Sequence, residues 1–202
     1  MTRSPVGAGG LLTVALLLAA CASGPTSQSA TPTASLLPPA SGAPFGPGSG
    51  AIVVDETLID YLPVEVAGIV LVSDPDTARN IASDPDLAAS ASAIAVAFAI
   101  APGASVGDDV AVVSVIQLRP GVFDDEFFRS WRDTYDAAAC EAAGGTAGNA
   151  EAEIGGRQTY IGSCAAGAHT YHLYLEDQNV IVSVTSVGEL RLGERIVAGL
   201  RE

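Results

Sequence analysis

The run HTYHLYL at residues 169–175, with EDQN at 176–179 and VIVSVTSV at 180–187, decides the fold. Val, Ile, Thr and Tyr suit the pleated, half-buried surface of a sheet. Asp177-Gln178-Asn179 is turn chemistry between two such runs. His169–Glu176 and Val180–Val187 therefore read as paired antiparallel strands. Upstream, Ala165 to Ala168 leads into this pair, and Gly155-Gly156 separates Glu151–Ile154 from Arg157–Ser163 as a hairpin. The whole is an antiparallel meander. Beyond it, Ile196, Val197 and Leu200 form the apolar stripe of a closing helix.

Further upstream the pattern is mixed. Asp109 to Leu118 is rich in Val and Ile and reads as a buried strand ended by Pro120-Gly121. Asp124, Asp125 and Glu126 then open a helix, where carboxylates favour the positive end of the dipole. Phe127, Phe128, Trp131 and Tyr135 line one stripe of that helix. Such a stripe is read first as core, with a binding face at Trp131 and Tyr135 as the alternative. From Pro85, the positions Leu87, Ala91, Ile94 and Phe98 keep helical spacing, while Ile94, Val96, Phe98 and Ile100 alternate as a strand does. The abundance of alanine favours helix. Asp55 to Val72 combines a short helix signal at Leu58, Ile59 and Leu62 with an extended run at Ile69–Val72. Asp74-Pro75-Asp76 and Asp84-Pro85-Asp86 look like two helix starts, each with an Asp cap and Pro in the first turn. Calcium ligation is the sharper alternative, but no EF-hand glycine or terminal glutamate accompanies them. Helices beside an antiparallel sheet make the domain α+β, a meander flanked by helices.

Charge narrows the chemistry. The 202-residue chain has nine Arg, no Lys and 23 acids, for a net charge of −14. An acidic chain of this kind is unsuited to a nucleic acid partner. Without lysine there is neither a Schiff-base enzyme nor a P-loop.

The amino-terminal part is organised as an address. Arg3 and the amino group precede the apolar run Leu11 to Ala20, which is shorter than the ~20 residues a bilayer needs. It ends Leu18-Ala19-Ala20-Cys21. Small residues before a cleavage point mark a secretory signal peptide, and this sequence closely resembles the lipobox of bacterial lipoproteins. The resemblance implies that residues 1–20 are removed and that Cys21 is acylated, probing no further than this leader. It places the protein on the extracytoplasmic face of a bacterial cell membrane, held by its lipid anchor. No twin arginine is present, which points to export of the unfolded chain. Between Ala22 and Gly50, 25 of 29 residues are Ala, Ser, Thr, Pro or Gly. Such a segment cannot repay the entropy of ordering and reads as a disordered tether. The expected organisation is residues 1–20 leader, 21–50 acylated cysteine and tether, and 51–202 one extracytoplasmic domain.

Candidate chemistry is sparse. Cys140 and Cys164 remain once Cys21 is lipidated, and an even pair in an exported domain is most simply a disulfide. A redox pair would want C-x-x-C spacing, which is missing. His169 and His172 are the only histidines. On a strand, residues three apart face opposite sides, so the two do not share a metal. Ser163 lacks the Gly-x-Ser-x-Gly surroundings of a nucleophile elbow. Asp108-Asp109 and Asp124-Asp125 are explained by solvation and helix initiation before a two-carboxylate site.

The order of elements is loosely similar to that of the Mog1/PsbP-like domains found in some bacterial lipoproteins. That resemblance implies a binding or assembly-support module, because the fold is tied to no one chemistry. The expectation is thus a non-catalytic module with no cofactor and no metal. Its partner would be a small molecule, lipid, wall component or protein. Trp131, Tyr135, His169 and His172 are candidate binding residues. The alternatives are a surface hydrolase using a histidine base, or a purely structural envelope protein.

Overall fold

The computed structural model describes residues 50–103 and 109–201. The leader, Cys21 and the tether up to residue 49 lie outside the described residues. The chain runs through strand β1 (Val53–Val54), a 3-10 turn (Glu56–Tyr61), the hairpin strands β2 (Glu65–Val66) and β3 (Ile69–Val70), and β4 (Val72–Ser73). Helices α1 (Pro75–Ala82) and α2 (Pro85–Ala88) come next, then the long strands β5 (Ala91–Ile100) and β6 (Val110–Leu118). Helix α3 (Asp125–Glu141) leads into β7 (Thr146–Ile154), β8 (Arg157–Cys164), β9 (His169–Leu175) and β10 (Val180–Val187). Helix α4 (Leu192–Ala198) closes the domain. The fold is α+β. One mostly antiparallel sheet has the order β1-β5-β6-β10-β9-β8-β7, with β4 beside β1 on the outer edge of β5.

All three Asp caps form. Asp74, Asp84 and Asp124 accept from the backbone N–H of Thr77, Asp86 and Phe127 at 3.0, 2.8 and 2.7 Å. The two Asp-Pro-Asp segments thus start helices, with Pro in the first turn of each.

The expected helix from Pro85 is corrected. Only Pro85–Ala88 is helical, and Ala91–Ile100 is a strand paired with β6 along its length. The alternation there is of size rather than polarity. Ala95, Ala97 and Ala99 face the 3-10 turn and α4, while Ile94 and Val96 face α1 and α3. Both faces are buried, so the polar-apolar signal of a strand is missing, and packing overrides the helix preference of alanine. Residues 146–150, TAGNA, also extend β7 further than the sequence pattern indicated.

Two layers of core result. On one face, Leu62, Leu192, Ile196 and Val197 pack on Val113, Val115, Leu173, Val182 and Val184. On the other, Ala78 and Phe128 pack on Ile94, Val96, Ile116 and Ile181. The Cys140–Cys164 disulfide fastens the end of α3 to the end of β8, with Cα atoms 5.1 Å apart. β7 is a free sheet edge, and its Glu151 and Glu153 are the charges that guard such an edge against pairing. Among the described residues, no helix is long and apolar enough to cross a membrane.

Candidate functional site

Register builds the site. On the face under α3, Ser114, Ser183, His172 and Tyr160 stand side by side across β6, β10, β9 and β8. The next row in the same strands is Val112, Thr185, Thr170 and Gly162. A polar band therefore crosses the sheet, backed on the opposite face of β6, β10 and β9 by Val113, Val115, Val182, Val184 and Leu173.

Helix α3 lowers matching groups onto this band. Its most buried line is Phe128, Asp136 and Cys140, with Arg132 half-buried between them at the same four-residue spacing. Asp136 Oδ1 accepts from Thr170 Oγ1 at 2.5 Å and lies 2.8 Å from His172 Nε2. His172 Nδ1 lies 2.9 Å from Ser183 Oγ, which accepts the Trp131 indole N–H at 3.1 Å. One proton arrangement satisfies every group: His172 donates through Nε2 to Asp136 and accepts the Ser183 hydroxyl at Nδ1. Burial acts to raise the Asp136 carboxyl. Hydrogen bonds from His172 and Thr170, with the charge of Arg132, outweigh it and hold the group below the usual carboxylate value.

The row Asp136–His172–Ser183 has the composition of a hydrolytic triad but not its accessibility. A triad serine must reach a substrate carbonyl. Ser183 and His172 are both 0% exposed, and Trp131 lies over the serine hydroxyl. As arranged, the row ties α3 to the sheet and presents no nucleophile.

Beside it a cavity of about 270 Å³ opens between α3 and the β7–β9 end of the sheet. Arg132, Asp136, Asn149, Tyr160, Gly162 and His172 are among its walls, with Asp133 and Glu151 at the mouth. The Arg132 guanidinium lies over the Tyr160 ring, 4.0 Å from its centroid, and within 5.7 Å of Phe128. Its Nε is buried without a hydrogen-bond partner. Asp136 Oδ2, the oxygen not used by His172 and Thr170, stands over Gly162. A Cβ at residue 162 would lie 2.5 Å from it and would also collide with Thr170 Oγ1. Only glycine lets Asp136 and Thr170 approach the strand this closely.

The residues singled out from sequence are divided between two faces. His172 lies in the cavity wall. Trp131 and Tyr135 sit next to it on α3 but face the sheet outside the cavity lining, bonded to Ser183 and Thr185. Burial raises the Tyr135 phenol, and the Asp136 charge adds to that. His169 is on the opposite face, with Nδ1 3.2 Å from Ser163 Oγ, beside a depression of about 510 Å³ that includes Tyr171, Arg191 and Glu194. Burial, with Glu194 nearby, raises the Tyr171 phenol. Among the described residues, no three His, Cys, Asp or Glu side chains gather as metal ligands would.

Sequence reasoning missed Arg132, Asp136, Tyr160 and Ser183. A signal existed for two of them. If Cys140 is disulfide-bonded it faces the sheet, and counting back by fours puts Asp136 and Arg132 on the same line. Comparison with known proteins finds no matching family model, no matching curated protein and no matching solved structure.

Proposed function

We propose that the protein is a lipid-anchored lipoprotein of the extracytoplasmic face of a bacterial membrane. Its folded domain is a non-catalytic binding module, and a small polar molecule occupies the cavity between α3 and β7–β9. The anchor rests on the Leu-Ala-Ala-Cys sequence ending at Cys21. Two acyl chains on one cysteine give stable attachment where a single chain is marginal.

One observation carries the binding reading: the Arg132 Nε, buried without a hydrogen-bond partner, and the Asp136 carboxylate line the same cavity. Buried polar groups are normally hydrogen-bonded, and an exception asks for a partner. A concave site with a few converging polar groups is the usual form of a small-molecule site. The sealed Ser183 and the two engaged nitrogens of His172 weigh against hydrolysis.

The test is thermal denaturation of the full chain in detergent micelles against a panel of small polar metabolites, beside the Arg132→Gln variant. At least one chemical class should raise the midpoint of the wild type more than that of the variant, without being consumed. An esterase or amidase activity that disappears in Ser183→Ala, with no compound shifting the midpoint, would overturn the reading in favour of a hydrolase. The anchor is checked separately: labelled palmitate should enter the wild type and fail to enter Cys21→Ala.

A further inference from the structure

Arg132 and Asp136 stand four residues apart on α3 and both line the cavity. Opposite charges at this spacing, with Cβ atoms about 5–6 Å apart, ordinarily pair with each other along the helix. Here they do not. Asp136 is turned to His172 and Thr170, and Arg132 is laid on Tyr160. Each is held away from the other by a separate, well-packed partner, and each keeps an unused hydrogen-bonding valence. Such a pair fits a ligand that carries both opposite charges within a few ångströms.

We infer that the cavity takes a free amino acid, its carboxylate on the Arg132 guanidinium and its α-ammonium on Asp136 Oδ2. This rests on the binding-module reading above. Two further features agree. The planar fork of arginine matches a carboxylate in bidentate fashion. The cavity, at about 270 Å³, is of the size of a small metabolite rather than of a lipid or a peptide.

The rim selects among amino acids. Asp133 and Glu151 stand at the mouth, and Glu151 is steadied by Gln158 Nε2 at 3.2 Å. With Asp136 they set three carboxylates against one arginine. A side chain bearing a second amine balances that charge, whereas an acidic side chain adds to it. The ligand class is therefore a cationic amino acid of the lysine or ornithine type.

Isothermal titration of the full chain in micelles tests this with four probes: L-lysine, L-lysinamide, 6-aminohexanoate and L-glutamate. Lysinamide lacks the carboxylate, and 6-aminohexanoate lacks the α-amine. Lysine should bind, and each of the other three should be weaker by about tenfold or more, since each loses or opposes a charge-assisted contact. Arg132→Gln should weaken lysine by a similar factor and abolish the difference between lysine and lysinamide. Asp136→Asn should remove the preference over 6-aminohexanoate. Should it fail to fold, Arg132→Gln with the probe series still decides. Equal binding of lysine and lysinamide, unchanged in Arg132→Gln, would overturn the inference in favour of a simple cation site. Lysine failing to bind while another small molecule binds in an Arg132-dependent way would overturn it and leave the binding module standing. No binding by any compound, with no effect of Arg132→Gln, would overturn both.

Discussion

The two faces of the central sheet are built on different principles. Beneath α4 and the 3-10 turn the buried side chains are mostly apolar, from Leu62 to Leu200, with Thr159 and Ser186 as buried polar exceptions. Beneath α3, strands β6, β10 and β9 present Ser114, Ser183, His172 and Thr170. The first face holds by area. The second combines an apolar cluster around Phe128 with directed bonds, which require each partner in place, and it is closed at one end by the Cys140–Cys164 disulfide.

Four substitutions would break or sharpen this contrast, measured by denaturant unfolding. Cys140→Ser should cost the most, about 3.5 kcal/mol in the chain-entropy account of a loop of this length. The loss should be matched by reduction of the wild type, and a reduced wild type of unchanged stability would show that α3 needs no staple. Leu62→Ala, on the apolar face, should cost about 3 kcal/mol, through lost burial and the cavity left behind. A loss below about 1 kcal/mol would mean that this face is not held by area.

Asp136→Asn should cost about 2 kcal/mol, the penalty of disturbing a buried hydrogen-bonded pair. It should also change the acid limb. The wild-type carboxyl is lowered on folding, because its hydrogen bonds and neighbouring charges overcome burial. Its contribution is therefore present above the unfolded value of about 4 and is lost as pH falls through the lower folded value. The gap between wild type and variant should narrow in acid. A gap that stays constant down to unfolding would contradict the ionised Asp136. Arg132→Gln should cost least, about 0.5 kcal/mol for the contact with Tyr160. A larger loss would make this arginine a structural group.

Much of the frame was legible from sequence, and the reasons are local. The turn at Asp177–Asn179, the paired glycines at 155–156 and the three Asp caps each carry a signal within four residues. The helix drawn through Ile94 and Phe98 failed because a strand buried on both faces shows no polar alternation. The site was harder. His172 was visible as one of two histidines, but its partners Asp136 and Ser183 lie 36 and 11 residues away and meet it only through the packing of α3 and the register of β9 with β10. Trp131 and Tyr135 drew attention by size, while the line that touches the cavity runs one residue further round the helix.

The strand order has a consequence for how the chain matures. β10 is the last strand of the described chain, yet it lies in the middle of the sheet, between β6 and β9. Its pairing with β6 joins Ser183 to Ser114, so the central ladder closes a loop of roughly 70 residues. Contacts this far apart in sequence slow folding. Until β10 arrives, β6 and β9 each expose an apolar edge with free peptide groups, the kind of template on which chains stick to one another. A nascent chain would therefore gain little from folding before β10 is available.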